Sequence, residues 1–338
     1  MKILHIIQDM NIGGAQRVLY NIVKRMDEFN HYILTYQICE EYEMWLSQLK
    51  NVKVILISDM GVFVRAIREL DYDIVHYHWW PGMKVMGTVF EKKGVPIVFS
   101  LQEQVVPPKI NAYYVAGSKN NYKYLYEIPE DRKKYIYFGI DPDLFPVNTR
   151  SEIDETEVYL GRVSTIIPTK IPRNLIETLS KITIKNFKYS IYGIGDKEVI
   201  ERLEKEISQY KLDDRVFIIN DSFVNDKYQM IDIFLYWLED GEEEAFGLVF
   251  LEALASKCIV VTKRVGAADE VIIDGENGFL FDSEDEVDGI LHRIISNPAL
   301  QKKIKENGLY TVHEKLTLEH FVKEYRDLYE GLKFETKK

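Results

Sequence analysis

The chain has 338 residues, of which 46% are apolar and 29% charged, and its formal net charge is -11. That length fits two domains of roughly 150 residues better than one core, and the composition is globular, not disordered. The acidic balance excludes wrapping a nucleic-acid backbone, which needs a cationic stripe, and no apolar run reaches the roughly 18 residues of a membrane-spanning helix.

The charge is unevenly spread. Residues 1–145 hold 17 basic and 17 acidic side chains, whereas residues 146–338 hold 26 and 37. A neutral first half lacks the basic patch that favours anionic membranes. This predicts a soluble cytoplasmic protein, or one only loosely peripheral at the inner membrane face. The opening MKILHIIQDM has a short apolar run and no small-residue cleavage site, so it reads as a strand and not a signal peptide. Cys39 and Cys258 each sit in or beside an apolar run, as packing cysteines do in a reducing compartment.

Strand and helix patterns alternate from the start. KILHIIQ reads as a strand, and GGAQRVLYNIVKRM as a helix with Val18, Leu19, Ile22, Val23 and Met26 apolar. HYILTYQI, VKVILI, DIVHYH and PIVFSL follow as strands, separated by the helices EMWLSQL, VFVRAIREL and KVMGTVFEKKG. A strand YYVAGS, a helix near 118–127 and a strand KKYIYFGI come next. The Pro-rich stretch DPDLFPVNTRSEIDET reads as a linker. The pattern then restarts with the strands EVYLGRVS, KYSIYGIG, RVFIIN, IDIFLYW and IVVTKR, and with the helices RNLIETLSKI, EVIERLEKEISQY and VFLEALAS. Three terminal helices close the chain. Strands joined through single helices imply right-handed crossovers and parallel sheets. The expected fold class is therefore α/β, with two Rossmann-like doubly wound domains, 1–147 and 148–315, whose strand ends face a central cleft.

Ligands of such sheets bind outside the carboxyl ends of the strands, so the residues there carry the functional reading. The first strand ends in DMNIGGAQR, where Gly13 and Gly14 let backbone N–H groups approach an anion; a tight turn would want glycine equally. Arg162 leaves the strand EVYLGRVS, and Lys170 follows eight residues later. Two cations on one loop suit a diphosphate, although two solvated surface cations would look the same. Gly193 and Gly195 make another glycine turn. In EEEAFGLVFLEALA, Phe246-Gly247 marks a helix start, with Glu244 just before it and Glu252 inside it on an apolar face. Glu244 is open to a role at the helix dipole, and Glu252 to a structural ion pair. His76 and His78 alternate on one strand and face the same way, but no third metal ligand of compatible spacing is visible, so no metal site is expected. Trp79 and Trp80 follow as sugar-stacking or packing aromatics.

Taken together, EEEAFGLVFLEALASKCIVVTKRVGAADEV, NIGGAQRV, DIVHYH, FGIDPDLF, LGRV…K and YGIGD resemble the motifs of the retaining GT-B glycosyltransferases of family 4 (GT4). The matches run from the first residues to about 282. The resemblance implies that Arg162 and Lys170 bind the donor diphosphate and stabilise the charge growing on it. It implies that Glu244 holds donor-sugar hydroxyls, that amides around Phe246, Gly247 and Leu248 bind sugar and phosphate, and that Glu252 accepts from the ribose. Gly13, Gly14 and Gly193 would lie against the donor, and His78 would line the sugar and acceptor side. The last helix, 316–338, would cross back to the first domain. The implied substrates are a UDP- or GDP-linked sugar and a hydroxyl acceptor, with retention of configuration and neither a metal nor another cofactor.

Several positions depart from the family pattern. Gln16 replaces Glu, Gln102 stands where a histidine is common, Phe138 replaces Asn before Gly139, and Lys257 and Ala267 replace glycines. The Arg162–Lys170 spacing is also about three residues longer than usual. Most of these changes fall on the acceptor side or in packing, which predicts altered acceptor specificity. The alternatives are a non-catalytic partner subunit and a sugar-nucleotide epimerase on the same fold.

Overall fold

The structure is a computed structural model that describes residues 1–11, 13–78, 94–102, 104–150, 152–221 and 225–335. The chain divides into two compact units, the first made of Met1–Phe138 with Leu318–Lys338 and the second of Gly139–Thr317.

In the first unit, β1 (Lys2–Ile7), β2 (Asn30–Thr35), β3 (Val52–Leu56), β4 (Ile74–His78), β5 (Ile97–Leu101), β6 (Tyr113–Ala116) and β7 (Lys133–Tyr135) form one sheet. Its order is β3-β2-β1-β4-β5-β6-β7, and every pairing is parallel. The connecting helices include α1 (Gly14–Arg25), α2 (Glu40–Ser47) and α3 (Met60–Glu69). Strands β4 and β5 are buried on both faces, which is why they read as apolar runs without alternation. Sheet order reverses between β1 and β4, and such a reversal opens the crevice where doubly wound folds bind ligands.

The second unit repeats the plan. Strands β8 (Val158–Val163), β9 (Phe187–Tyr192), β10 (Val216–Ile219), β11 (Ile233–Tyr236), β12 (Ile259–Lys263) and β13 (Gly278–Phe281) run in the order β10-β9-β8-β11-β12-β13. Here the reversal lies between β8 and β11. The helices include α4 (Leu175–Ser180), α5 (Lys197–Gln209), α6 (Leu248–Ala255), α7 (Val287–Ile295) and α8 (Pro298–Tyr310).

The final helix, α9 (Leu318–Glu335), packs on the first unit. Its Tyr329 hydroxyl meets His76 Nδ1 at 2.6 Å and its Tyr325 hydroxyl meets Ser100 Oγ at 2.7 Å. Arg326 pairs with Glu28, and Lys333 with Asp73. The tyrosine stripe of this helix is therefore core packing with a hydrogen-bonded lining.

Two local expectations are corrected. The helix expected near 118–127 is one turn, Lys119–Tyr122, that tightens into a 3-10 turn over Lys123–Leu125; Pro129 follows four residues on, and Ile128 N–H already bonds Leu125 O. The division between the units falls at Phe138/Gly139 and not at 147, because the linker belongs to the second unit. Phe145 packs edge-on against Tyr228, and Asn148 N–H donates to Ser256 O at 2.9 Å. Trp79, Trp80 and the expected helix KVMGTVFEKKG fall largely within 79–93, outside the described residues.

Asp232 closes this clasp. It is fully buried and accepts from Tyr159 N–H at 3.0 Å, from Asn148 Nδ2 at 3.2 Å and from the Arg150 guanidinium. Asp232→Ala is expected to destabilise the second unit by about 3 kcal/mol, because it breaks a buried pair and strands several donors. Urea unfolding followed through Trp237, the one tryptophan of that unit, measures this. An unchanged midpoint would mean that the clasp contributes nothing.

Candidate functional site

The second unit gathers its chemistry at the β8/β11 reversal. Arg162, the penultimate residue of β8, is fully buried. Its Nη1 donates to Trp237 O at 3.2 Å, its Nη2 donates to Lys170 O, and the guanidinium carbon lies 4.5 Å from the centre of the Tyr236 ring. Its Nε has no partner, and no carboxylate pairs with it among the described residues. A guanidinium out of water without a counter-anion is costly, and it is the strongest electrostatic demand for an anion at this edge. The surface-cation alternative for Arg162 is thereby excluded.

Lys170 does not add a second unpaired cation. Its ammonium grips both oxygens of Glu244, at 2.7 and 3.0 Å, and the Tyr236 hydroxyl donates to the same carboxylate at 2.8 Å. Burial, then the negative charge of Glu244, holds the Tyr236 phenol well above its ordinary value, so it remains a donor. Tyr236 thus touches both Arg162, through its ring, and Glu244, through its hydroxyl. Sequence reasoning missed it, because a tyrosine in an apolar strand carries no signal until β11 is laid beside β8.

Glu244 is held by its backbone as well. Ala267 N–H donates to Glu244 O at 3.1 Å, and a side chain on Gly266 (φ +65°) would strike that same carbonyl. The VGA turn after β12 therefore positions the first glutamate. Gly247 begins α6 from a left-handed conformation (φ +81°), with Phe246 buried beside it and Leu248 as the first helical residue. Glu252, on α6, accepts from the Tyr228 hydroxyl at 2.6 Å. No cation pairs with it among the described residues, which leaves the structural ion-pair alternative without support.

Gly193 has a specific backbone reason. A Cβ there would lie 1.9 Å from Ser164 O, so glycine is what allows the turns after β8 and β9 to touch. Close turn packing explains this residue without reference to a ligand.

In the first unit, Gly13 caps α1 in extended conformation and Gly14 is exposed as the first helical residue. His78, expected to line the sugar and acceptor side, is buried at the end of β4, and its Nδ1 has no partner among the described residues. The expectation of no third histidine is corrected, because His5 lies beside His76 in the β1/β4 register, and ring nitrogens of His5, His76 and His78 fall within 4.8 Å of one another. Hydrogen bonds already occupy most of these nitrogens. His76 meets the Tyr329 hydroxyl and Ser100 Oγ, the latter at 2.7 Å. His5 Nδ1 meets His78 Nε2 at 3.0 Å, His5 Nε2 meets His31 Nδ1 at 2.9 Å, and His31 Nε2 meets Met26 O at 2.9 Å. Hydrogen bonds link the cluster into one buried core, with His78 Nδ1 left over.

Comparisons with known proteins agree with this architecture. The Glycosyl transferases group 1 family matches residues 148–309. An uncharacterized glycosyltransferase of Methanocaldococcus jannaschii is 26% identical over 95% of this chain and 95% of its own. The alpha-monoglucosyldiacylglycerol synthase of Acholeplasma laidlawii is 23% identical over 78% of this chain and 77% of its own. The solved structure of Anabaena Alr3699/HepE in complex with UDP and glucose superposes with a TM-score of 0.85 at 18% identity, covering 98% of this chain and all of that one. Two parallel Rossmann-like units of this topology define the GT-B glycosyltransferases. Within that class the match to the group 1 family lies on residues 148–309, and the named relatives make the chain a glycosyltransferase of the hexosyltransferase type.

Proposed function

We propose that the protein transfers a sugar from a UDP-linked donor to a hydroxyl acceptor with retention of anomeric configuration and without a divalent metal. The buried, unpaired guanidinium of Arg162 carries this reading. It supplies beside α6 the fixed positive charge that a leaving diphosphate needs, so developing charge meets a preorganised partner. Glu252, anchored at one oxygen by Tyr228, suits the ribose hydroxyls. Glu244 takes three hydrogen bonds from Lys170 and Tyr236, which makes it a poor covalent nucleophile and leaves a lone pair on Oε2 as a fixed acceptor for a sugar hydroxyl. That commitment supports front-face transfer over a glycosyl-enzyme intermediate. Among the described residues no helix is long and apolar enough to cross a membrane, consistent with an enzyme that meets its acceptor from solution or at a surface.

A thermal-shift panel with UDP, GDP, ADP and UDP-glucose, each with and without EDTA, tests the donor class. At 100 times its dissociation constant a ligand stabilises by about 2.7 kcal/mol, which amounts to a few degrees in a unit of this size. UDP and UDP-glucose are expected to raise the midpoint equally with and without EDTA, and Glu252→Ala is expected to lose most of that shift. A panel in which no nucleotide moves the midpoint would remove this reading.

A further inference from the structure

The histidine core of the first unit has a direction. Met26 O can only accept, so His31 Nε2 carries the proton and His31 Nδ1 is a bare acceptor. His5 Nε2 must then donate to it, which leaves His5 Nδ1 bare to receive His78 Nε2–H. Each step holds only while the rings are neutral. All three are buried, and desolvation depresses His31 to about 4 and His78 to about 3, while His5 is lowered by burial and by its histidine neighbours. The end of the chain is His78 Nδ1, a buried lone pair with no partner among the described residues. It lies at the carboxyl end of β4. On the adjacent strand, the amide oxygen and nitrogen of Gln102, just past the end of β5, are likewise buried and unpartnered. Two orphaned polar groups at one sheet edge point to a polar ligand there.

We propose that His31 and His5 are positioning residues: the one-way chain from Met26 O locks His78 as its Nε2–H tautomer, so that His78 Nδ1 presents an obligate acceptor to a substrate hydroxyl. This rests on the reading of the protein as a sugar transferase, and it assigns to two histidines of the first unit a role that no motif indicates. A hydroxyl is the matching chemistry, because the edge offers neutral acceptors and an amide donor and not a cation.

The test uses the full-length protein labelled with 15N-histidine, with tautomers read from two-bond 1H–15N correlations at pH 7. His31, His5 and His78 are each expected to be neutral, protonated at Nε2 and bare at Nδ1. His31→Phe cuts the chain from its anchor and is expected to populate the Nδ1–H form of His78. It should also raise KM, about three- to tenfold as for loss of one hydrogen bond, for the nucleotide sugar that stabilises the protein in the panel above, with kcat much less affected. His31→Gln, whose amide can donate to Met26 O and accept from His5, is expected to restore both the tautomer and KM. A wild-type His78 protonated at Nδ1 overturns the proposal even if neither variant folds. A His31→Phe protein with an unchanged His78 tautomer, or with a scrambled tautomer and an unchanged KM, overturns it as well. Binding of UDP remains the separate readout of the second unit, so loss of the relay and loss of the donor reading are distinguishable.

Discussion

Arg162→Ala is expected to lower sugar transfer about 10²–10³-fold, the range for removing one preorganised donor from a developing anion, while leaving the apo protein at least as stable as wild type. The second half of that expectation is the unusual one. Truncating a large buried side chain normally costs stability through the cavity it leaves. Here the side chain removed is a charge whose partners among the described residues are two carbonyls, the Tyr189 hydroxyl and a ring face, none of them an anion, and an uncompensated buried ion destabilises the unit that contains it. Arg162→Met, which keeps volume and discards the charge, isolates this term and is expected to be neutral or up to about 2 kcal/mol more stable. Initial-rate assays with the donor identified by thermal shift, run beside urea unfolding without ligand, measure both halves. Variants that lose activity and stability together would mean that Arg162 is a structural residue whose charge is satisfied within the fold.

Acidification is expected to unfold the first unit before the second. Four histidines, His5, His31, His76 and His78, are buried there, and desolvation lowers the affinity of each for a proton. Below the ordinary histidine value of 6.5 the unfolded chain binds protons that the folded unit refuses. Their contribution to stability is therefore fully present above that value and is lost as pH falls toward the folded values, about 4 for His31 and about 3 for His78. Each group contributes a slope of about 1.4 kcal/mol per pH unit. Four together match, within one or two units, the roughly 5–15 kcal/mol by which a domain is stable. The second unit has no buried histidine among its described residues. Burial holds its Asp232 above the ordinary carboxylate value, so acidification favours the folded form at that site. Hydrogen exchange at pH 7 and near pH 5, corrected for intrinsic rates, is expected to show residues 1–138 losing protection while 139–317 keep it. Simultaneous loss in both units would show that the histidine core is not the acid-labile element.

Much of the fold is legible locally. Parallel strands buried on both faces must be short apolar runs, so HYILTYQI, DIVHYH and IVVTKR announce themselves, and α6 is marked by Phe246-Gly247, where Gly247 takes a left-handed conformation at the N-cap that glycine allows. Glu244 and Glu252 are visible for the same reason: a carboxylate at the end or on the face of an apolar helix conflicts with its surroundings, and the conflict lies within a dozen residues. Where local pattern competes with packing, the pattern loses. The helix expected at 118–127 shrinks to a turn, and the linker sides with the second unit because Phe145 and Asn148 find partners there.

Amino-acid order alone settles which segments are strands and helices, which faces are apolar, and where charged residues interrupt them, since periodicity and turn chemistry act over a few residues. It does not settle which strands lie side by side. Arg162 meets Tyr236 across 74 positions, Lys170 meets Glu244 across 74, and His5 meets both His31 and His78, because sheet order reverses after β1 and after β8. The unpaired guanidinium and the directional histidine chain arise from those adjacencies: desolvation and hydrogen-bond direction are properties of a surrounding volume, and that volume exists only once distant strands have been brought together.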